Sequence, residues 1–167
     1  VGVAIVEDLK IVMLEHIDLG KHKTMFDKAD HVADFIFRLR DDRIDQTFIE
    51  DAMMKFTPGM SSAQTIATLL RFNGIVSYIV WRELHIHPQY IAPNAARKLC
   101  GVKTEQVKKC GKSHKQQVFE YMAANDLKDV EWPKKQRSEN IVDWAKDTTD
   151  AYVIAKAGNL LNIHGTP

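Results

Sequence analysis

Gln46-Thr47-Phe48-Ile49-Glu50-Asp51 is a short β-prone run that ends abruptly in acid. Thr47, Phe48 and Ile49 suit a buried strand, and Glu50 falls where that strand should leave the sheet. A carboxylate left unpaired in a dry interior is protonated or costly. Glu50 is therefore expected to face a cleft that admits water, metal or substrate.

The rest of the chain bounds what that cleft can belong to. With 167 residues, 45% of them hydrophobic, it can bury a core as one compact domain without disulfide staples. Lys+Arg of 23 against Asp+Glu of 22 leaves a formal net charge of +1, so bulk charge does not mark a nucleic-acid binder and the distribution of charge has to. Cys100 and Cys110 are too far apart for a CxxC pair and read as ordinary thiols of a reducing compartment. That points inside a cell, to cytoplasm, nucleoid or an organelle matrix, with a virus or phage origin also open. The longest apolar-leaning segment, 66–84, is interrupted by Thr68, Arg71, Asn73, Arg82 and Glu83, which suits a buried helix and not a membrane span. No signal peptide is visible. The chain opens without a methionine, and the expectation is that it begins partway through a longer product.

Along the chain, residues 1–6 and 10–17 read as a hairpin turning at Glu7-Asp8. Residues 24–40 carry apolar positions at helical spacing behind a Thr24 N-cap. The 46–50 strand follows, then a loop over 52–60 with a Pro58-Gly59 turn, and a long helix from Ser61 or Ser62 to about Leu84. That helix is apolar on more than one face, so it needs cover on several sides, from the sheet and from a second subunit. Ala63, Ala67 and Gly74 would permit close approach. A strand at 88–92, a short helix at 94–99 ending at Gly101, a helix at 113–124 and a final helix at 140–161 complete an α/β domain with a mixed sheet.

Charge is not evenly spread over these elements. Between Arg97 and Lys115 seven basic residues face only Glu105, and such a stripe can gather phosphates, with affinity that falls steeply in salt. On the last helix Asp143, Asp147 and Asp150 recur at i, i+4 and i+7 and should share one face, opposite Val142, Ala145, Tyr152, Val153 and Ala157. Like charges in a row repel, so something positive belongs between them. Mg²⁺ is the natural candidate, because it takes one or two carboxylates and completes its shell with substrate phosphate. The spacing alone is equally that of a solvated helix face.

The order Phe48-Ile49-Glu50, long helix, Tyr90–Ala92 strand, Lys115-Gln116-Gln117-Val118 and Asp147-Thr148-Thr149-Asp150-Ala151 resembles the RuvC-type Holliday-junction resolvases of the RNase H-like superfamily, over nearly the whole chain. The resemblance implies a single RNase H-like nuclease domain over 1–167, a mixed sheet flanked by helices. Its catalytic residues would be Glu50, Asp147, Asp150 and Lys115, the three acids holding two Mg²⁺ per active site. It also implies branched DNA as substrate, a homodimer and no membrane. Met53 and Phe56 fall where that family presents an apolar wedge, which can unstack bases for a few kcal/mol. Lys103, Lys108, Lys109, Lys112 and His114 would contact DNA. One departure stands out: the family's first aspartate precedes a glycine that Gly2 resembles, so either that acid and the first strand fall upstream of Val1, which is the expectation, or the strand differs here and with it the catalytic set.

The expected activity is Mg²⁺-dependent, structure-selective cutting of four-way junctions. Two alternatives stay open. One is a non-catalytic nucleic-acid-binding protein that keeps the fold, such as an organellar transcription or ribosome-associated factor. The other is an RNase H-like nuclease acting on RNA–DNA hybrids.

Overall fold

The structure, a computed structural model, describes residues 1–51, 62–135 and 140–163. Its elements run β1 (Gly2–Glu7), β2 (Lys10–His16), α1 (Met25–Arg38), β3 (Phe48–Glu50), α2 (Ala63–Leu84), β4 (Gln89–Ile91), α3 (Pro93–Leu99), α4 (Val107–Cys110), α5 (His114–Ala124) and α6 (Trp144–Ile163). This is mixed α/β architecture with small sheets. The contacts gather into two compact units, one of Val1–His16 with Pro93–Pro167 and the other of Ile17–Ala92.

In the first unit β1 and β2 pair antiparallel, from Gly2 opposite His16 to Glu7 opposite Lys10. The hairpin turns at Asp8-Leu9, one residue later than the sequence suggested, with φ of 48° and 63°. Two consecutive positive φ values match the twist of a tight hairpin, which is why the turn sits there. Asn159 Oδ1 accepts from the Leu9 amide at 3.2 Å, so the turn is tied to α6.

Helix α6 is the hub of this unit and packs against β1, β2, α3 and α5. Ala145, Thr148, Thr149, Tyr152, Val153, Ile154 and Ala157 on it are all buried. Burying two threonines is tolerable because each hydroxyl donates back to the Ala145 carbonyl, at 3.0 Å from Thr148 and 2.8 Å from Thr149. At its start Trp144 stacks on His16, centroids 5.5 Å apart. Gly2 lies so close to α6 that a Cβ there would run into the backbone of Asp147 and Thr148. Only glycine permits that approach.

The helix begins at Trp144, not near 140, and this corrects the expected acidic face. Lys134 and Ile141 form an antiparallel bridge, with the Lys135 amide donating to Asn140 O at 2.8 Å and the Val142 amide to Pro133 O at 3.1 Å. Those bonds hold the residues before Asp143 extended. Asp143 therefore precedes the helix, exposed, and pairs with Lys135 at 2.8 Å.

In the second unit α1 packs on α2. Thr24 caps α1 in a reciprocal box, its hydroxyl accepting from the Asp27 amide and the Asp27 carboxylate accepting from the Thr24 amide, both at 3.1 Å. Ser62 caps α2, accepting from the Thr65 amide at 3.1 Å. Strands β3 and β4 pair parallel, Phe48 with Gln89, Ile49 with Tyr90 and Glu50 with Ile91. The expected single mixed sheet is thus, among the described residues, one antiparallel pair and one parallel pair in separate sheets. Strands of three residues offer too few ladder bonds to extend further. On α2, Leu69, Leu70, Tyr78 and Trp81 stay exposed, and Gly74 has nothing near its absent Cβ. No helix among the described residues is long and apolar enough to cross a membrane.

Candidate functional site

Three helices of the first unit bring four charged side chains together. Asp147 and Asp150 lie one turn apart on α6, and the buried Thr148 and Thr149 between them turn both acids toward one side. Lys115 comes from the first turn of α5, which Ser113 caps by accepting from the Gln116 amide at 3.2 Å. Gln117, one turn further, pins the preceding loop. Its Nε2 donates to the carbonyls of Glu105 at 3.1 Å and Lys112 at 3.0 Å, and its Oε1 accepts from the Glu105 amide at 2.6 Å. Val118, Phe119 and Met122 bury the other face of α5. Lys115 is thereby held at a defined place beside α6.

Its ammonium sits 2.6 Å from Asp147 Oδ1 and 3.7 Å from Asp150 Oδ2. Arg97, from α3, approaches Asp150 Oδ1 at 3.7 Å. The four differ in solvent access: Lys115 is 55% and Asp147 43% exposed, whereas Asp150 is 13% and Arg97 15% exposed. Burial pushes the Asp150 carboxyl above its ordinary range. Lys115 and Arg97 pull it back without cancelling that effect, and the neighbouring Asp147 adds to it. Both oxygens of Asp150 thus meet their cations at longer range than Asp147 Oδ1 meets Lys115.

A divalent ion can be tested against this donor set. Mg²⁺ binds through one or two carboxylates with phosphate oxygens completing its shell, and Asp147 and Asp150 supply such a pair, already holding a positive ammonium. The pair fits one hard cation. Among the described residues no group of three or more His, Cys, Asp or Glu is placed to hold an ion.

The remaining sequence-derived candidates lie as follows. Glu50 ends β3 in the second unit, exposed, its carbonyl accepting from Asn73 Nδ2 at 3.1 Å. Asp51 continues the ladder, its amide donating to Ile91 O at 3.0 Å. Lys103, Lys108, Lys109, Lys112 and His114 are all exposed, with Lys112 paired to Glu120 at 2.8 Å. Lys108 and Lys109 belong to α4, a single helical turn within the basic stretch. Met53 and Phe56 lie outside the described residues. What sequence reasoning missed is the place of Arg97, which belongs to the phosphate-gathering stripe by sequence although its side chain turns inward. Its neighbour Ala96 is fully buried, so this part of α3 faces protein.

Comparison with known proteins bears on the fold. The chain is similar to the Thermus thermophilus RuvC structure with a TM-score of 0.61 and 15% sequence identity, over 99% of this chain and 89% of that one. The fold is accordingly RuvC-like. No family model matches the sequence, and no curated protein matches it.

Proposed function

We propose that this chain is a Mg²⁺-dependent, structure-selective endodeoxyribonuclease that cuts four-way DNA junctions as a homodimer. The observation that carries the reading is the pair Asp147 and Asp150 on one side of α6, bridged by Lys115 from the capped start of α5. The RuvC-like fold supports it. So does the exposed apolar run of Leu69, Leu70, Tyr78 and Trp81 on α2, a surface suited to a second copy.

In this reading Asp147 and Asp150 hold Mg²⁺, and Glu50 is a third catalytic carboxylate carried over from the family resemblance. Such an ion, when bound, lowers the pKa of its water and polarises a phosphodiester oxygen. Lys115 has a second task. Half exposed at a helix N-terminus, its ammonium can pass from the carboxylates to a phosphate oxygen. Lys103, Lys108, Lys109, Lys112 and His114 hold the DNA backbone without reading sequence, and Met53 and Phe56 enter the junction.

A second reading has its own support. Asp147 and Asp150 are already neutralised by Lys115 and Arg97, as they would be in a protein that keeps the fold and binds nucleic acid without cutting it. Incubation of the protein and of its Asp150→Asn variant with a synthetic four-way junction, with and without Mg²⁺, separates the two. Cleavage that needs both Mg²⁺ and Asp150 supports the nuclease. Equal cleavage by both proteins, or binding with no cleavage by the unsubstituted one, refutes it. An RNA–DNA hybrid in the same panel tests the substrate.

A further inference from the structure

Arg97 stands in the most basic stretch of the sequence yet behaves unlike its neighbours. Lys98, Lys103, Lys108, Lys109 and Lys112 are exposed, whereas the Arg97 side chain keeps 15% exposure and meets Asp150. We propose that Arg97 is a positioning residue for Asp150 in the cation-holding centre, and not one of the phosphate contacts of the basic stripe. The inference rests on the reading that Asp147 and Asp150 form that centre.

The backbone around Arg97 is built to hold it. Helix α3 ends at Gly101, whose φ of +72° closes the helix. The Gly101 amide donates to Lys98 O at 3.1 Å and the Val102 amide to Arg97 O at 2.9 Å, the paired bonds of a Schellman cap. Val102 and Ala96 are buried on either side, and the Cys100 thiol donates to Val153 O of α6 at 3.5 Å. Arg97 is therefore clamped to α6 at the turn next to Asp150.

The two oxygens of Asp150 are sorted between two cations, Oδ1 toward Arg97 and Oδ2 toward Lys115, each at 3.7 Å. Those cations are not equivalent. Lys115 is 55% exposed on a flexible stem and can leave. Arg97 is enclosed, permanently charged and planar, so it stays. When Lys115 turns away, Arg97 alone keeps Oδ1 engaged and leaves Oδ2 facing the Asp147 side. A fixed neighbour of this kind sets the orientation of a cation ligand and typically changes metal affinity by about 10- to 100-fold when removed.

The test uses the full chain with Arg97→Met, which keeps the apolar stem, and Arg97→Lys, which keeps the charge. Mn²⁺ binding is followed by the electron paramagnetic resonance of the free ion, and junction binding by gel shift in EDTA. The expected result for Arg97→Met is Mn²⁺ binding weaker by about tenfold, with junction binding unchanged. Arg97→Lys should recover part of the loss. Unchanged Mn²⁺ affinity in either variant overturns the inference. So does a rise, which would mean that the guanidinium merely competes with the ion, or a loss confined to junction binding with a shallower salt slope, the mark of a phosphate contact. If the unsubstituted protein binds Mn²⁺ through Asp150 and Arg97→Met weakens it, but no junction is cut, the inference stands and the nuclease reading fails. No Mn²⁺ binding that depends on Asp150 overturns both. Should Arg97→Met not fold, a Mn²⁺ loss in Arg97→Lys smaller than about tenfold still supports positioning, and none refutes it.

Discussion

Glu83 on α2 and Asp150 on α6 are both acids taken almost out of solvent, at 6% and 13% exposure, and each faces two cations. Around Glu83 the match is saturated. One carboxylate receives Arg40 on one oxygen and Arg82 on the other, both in close contact, and Arg40 Nε also donates to the Glu83 carbonyl at 3.1 Å. The Arg40 guanidinium lies over the Phe37 ring, 4.3 Å from its centroid, so α1 and its exit are fastened to the end of α2. That cluster carries a surplus of positive charge and has nothing to offer a further cation. Around Asp150 two acids share two cations, one contact is 2.6 Å and the others are 3.7 Å, and one cation is half exposed. Such an arrangement can exchange its lysine for something else. The ratio of acids to cations, and the looseness of the contacts, separate a fastening from a site that can take a ligand.

The largest effect expected from that contrast is on activity. Asp150→Asn should lower junction cleavage by about a hundredfold or more in a steady-state assay, while its thermal midpoint stays level or rises because a desolvated charge is gone. A midpoint several degrees lower would make Asp150 a fastening like Glu83. The pH dependence carries a definite sign. The folded-state pKa of Asp150 lies above its ordinary 3.8, so the native chain holds that proton more tightly than the unfolded one. The contribution is fully present below 3.8 and is lost as pH rises through the raised value. Urea midpoints in EDTA should therefore show the advantage of Asp150→Asn growing across that window and then levelling.

Next comes the strand that seats α6. Gly2→Val puts a branched side chain into the backbone of Asp147 and Thr148 and should cost about 3 kcal/mol, read as a lower denaturant midpoint, with cleavage reduced as Asp147 is displaced. Full stability in that variant would mean that the hairpin yields easily.

Glu83→Gln should act on the other side of the comparison. Removing the acid leaves Arg40 and Arg82 unpaired at 41% and 49% exposure, so the loss should be about 1–2 kcal/mol, below that of a fully enclosed pair. Cleavage at a temperature where the variant is folded should be unchanged. A cleavage defect there would show that Glu83 does more than fasten α1 to α2. The smallest effect belongs to Ser113→Ala, which removes the cap of α5 and should cost about 1 kcal/mol. A kcat loss beyond that of a matched destabilised variant would show that the cap also places Lys115.

Much of the fold was legible because local signals agreed with one another. Thr24 before one apolar period, Ser62 before another, and Gly101 after a short helix marked real ends, since each supplies a hydrogen bond or a positive φ that the backbone needs there. Other signals misled for physical reasons. The spacing of Asp143, Asp147 and Asp150 suited one helical face, but a bridge between Lys134 and Ile141 outweighs helix propensity ahead of Trp144. Basic residues from Arg97 to Lys115 read alike in a row, and nothing local distinguishes the one that turns inward.

The sequence by itself determined where most of the helices and strands form and that Asp147 and Asp150 share a side of one helix, because period and capping act over a few residues. Only the tertiary structure decided that Lys115 stands between those acids, that Arg97 backs one of them, and that Gly2 touches their backbone. Those are meetings of residues distant in the chain, and packing around α6 brings them together.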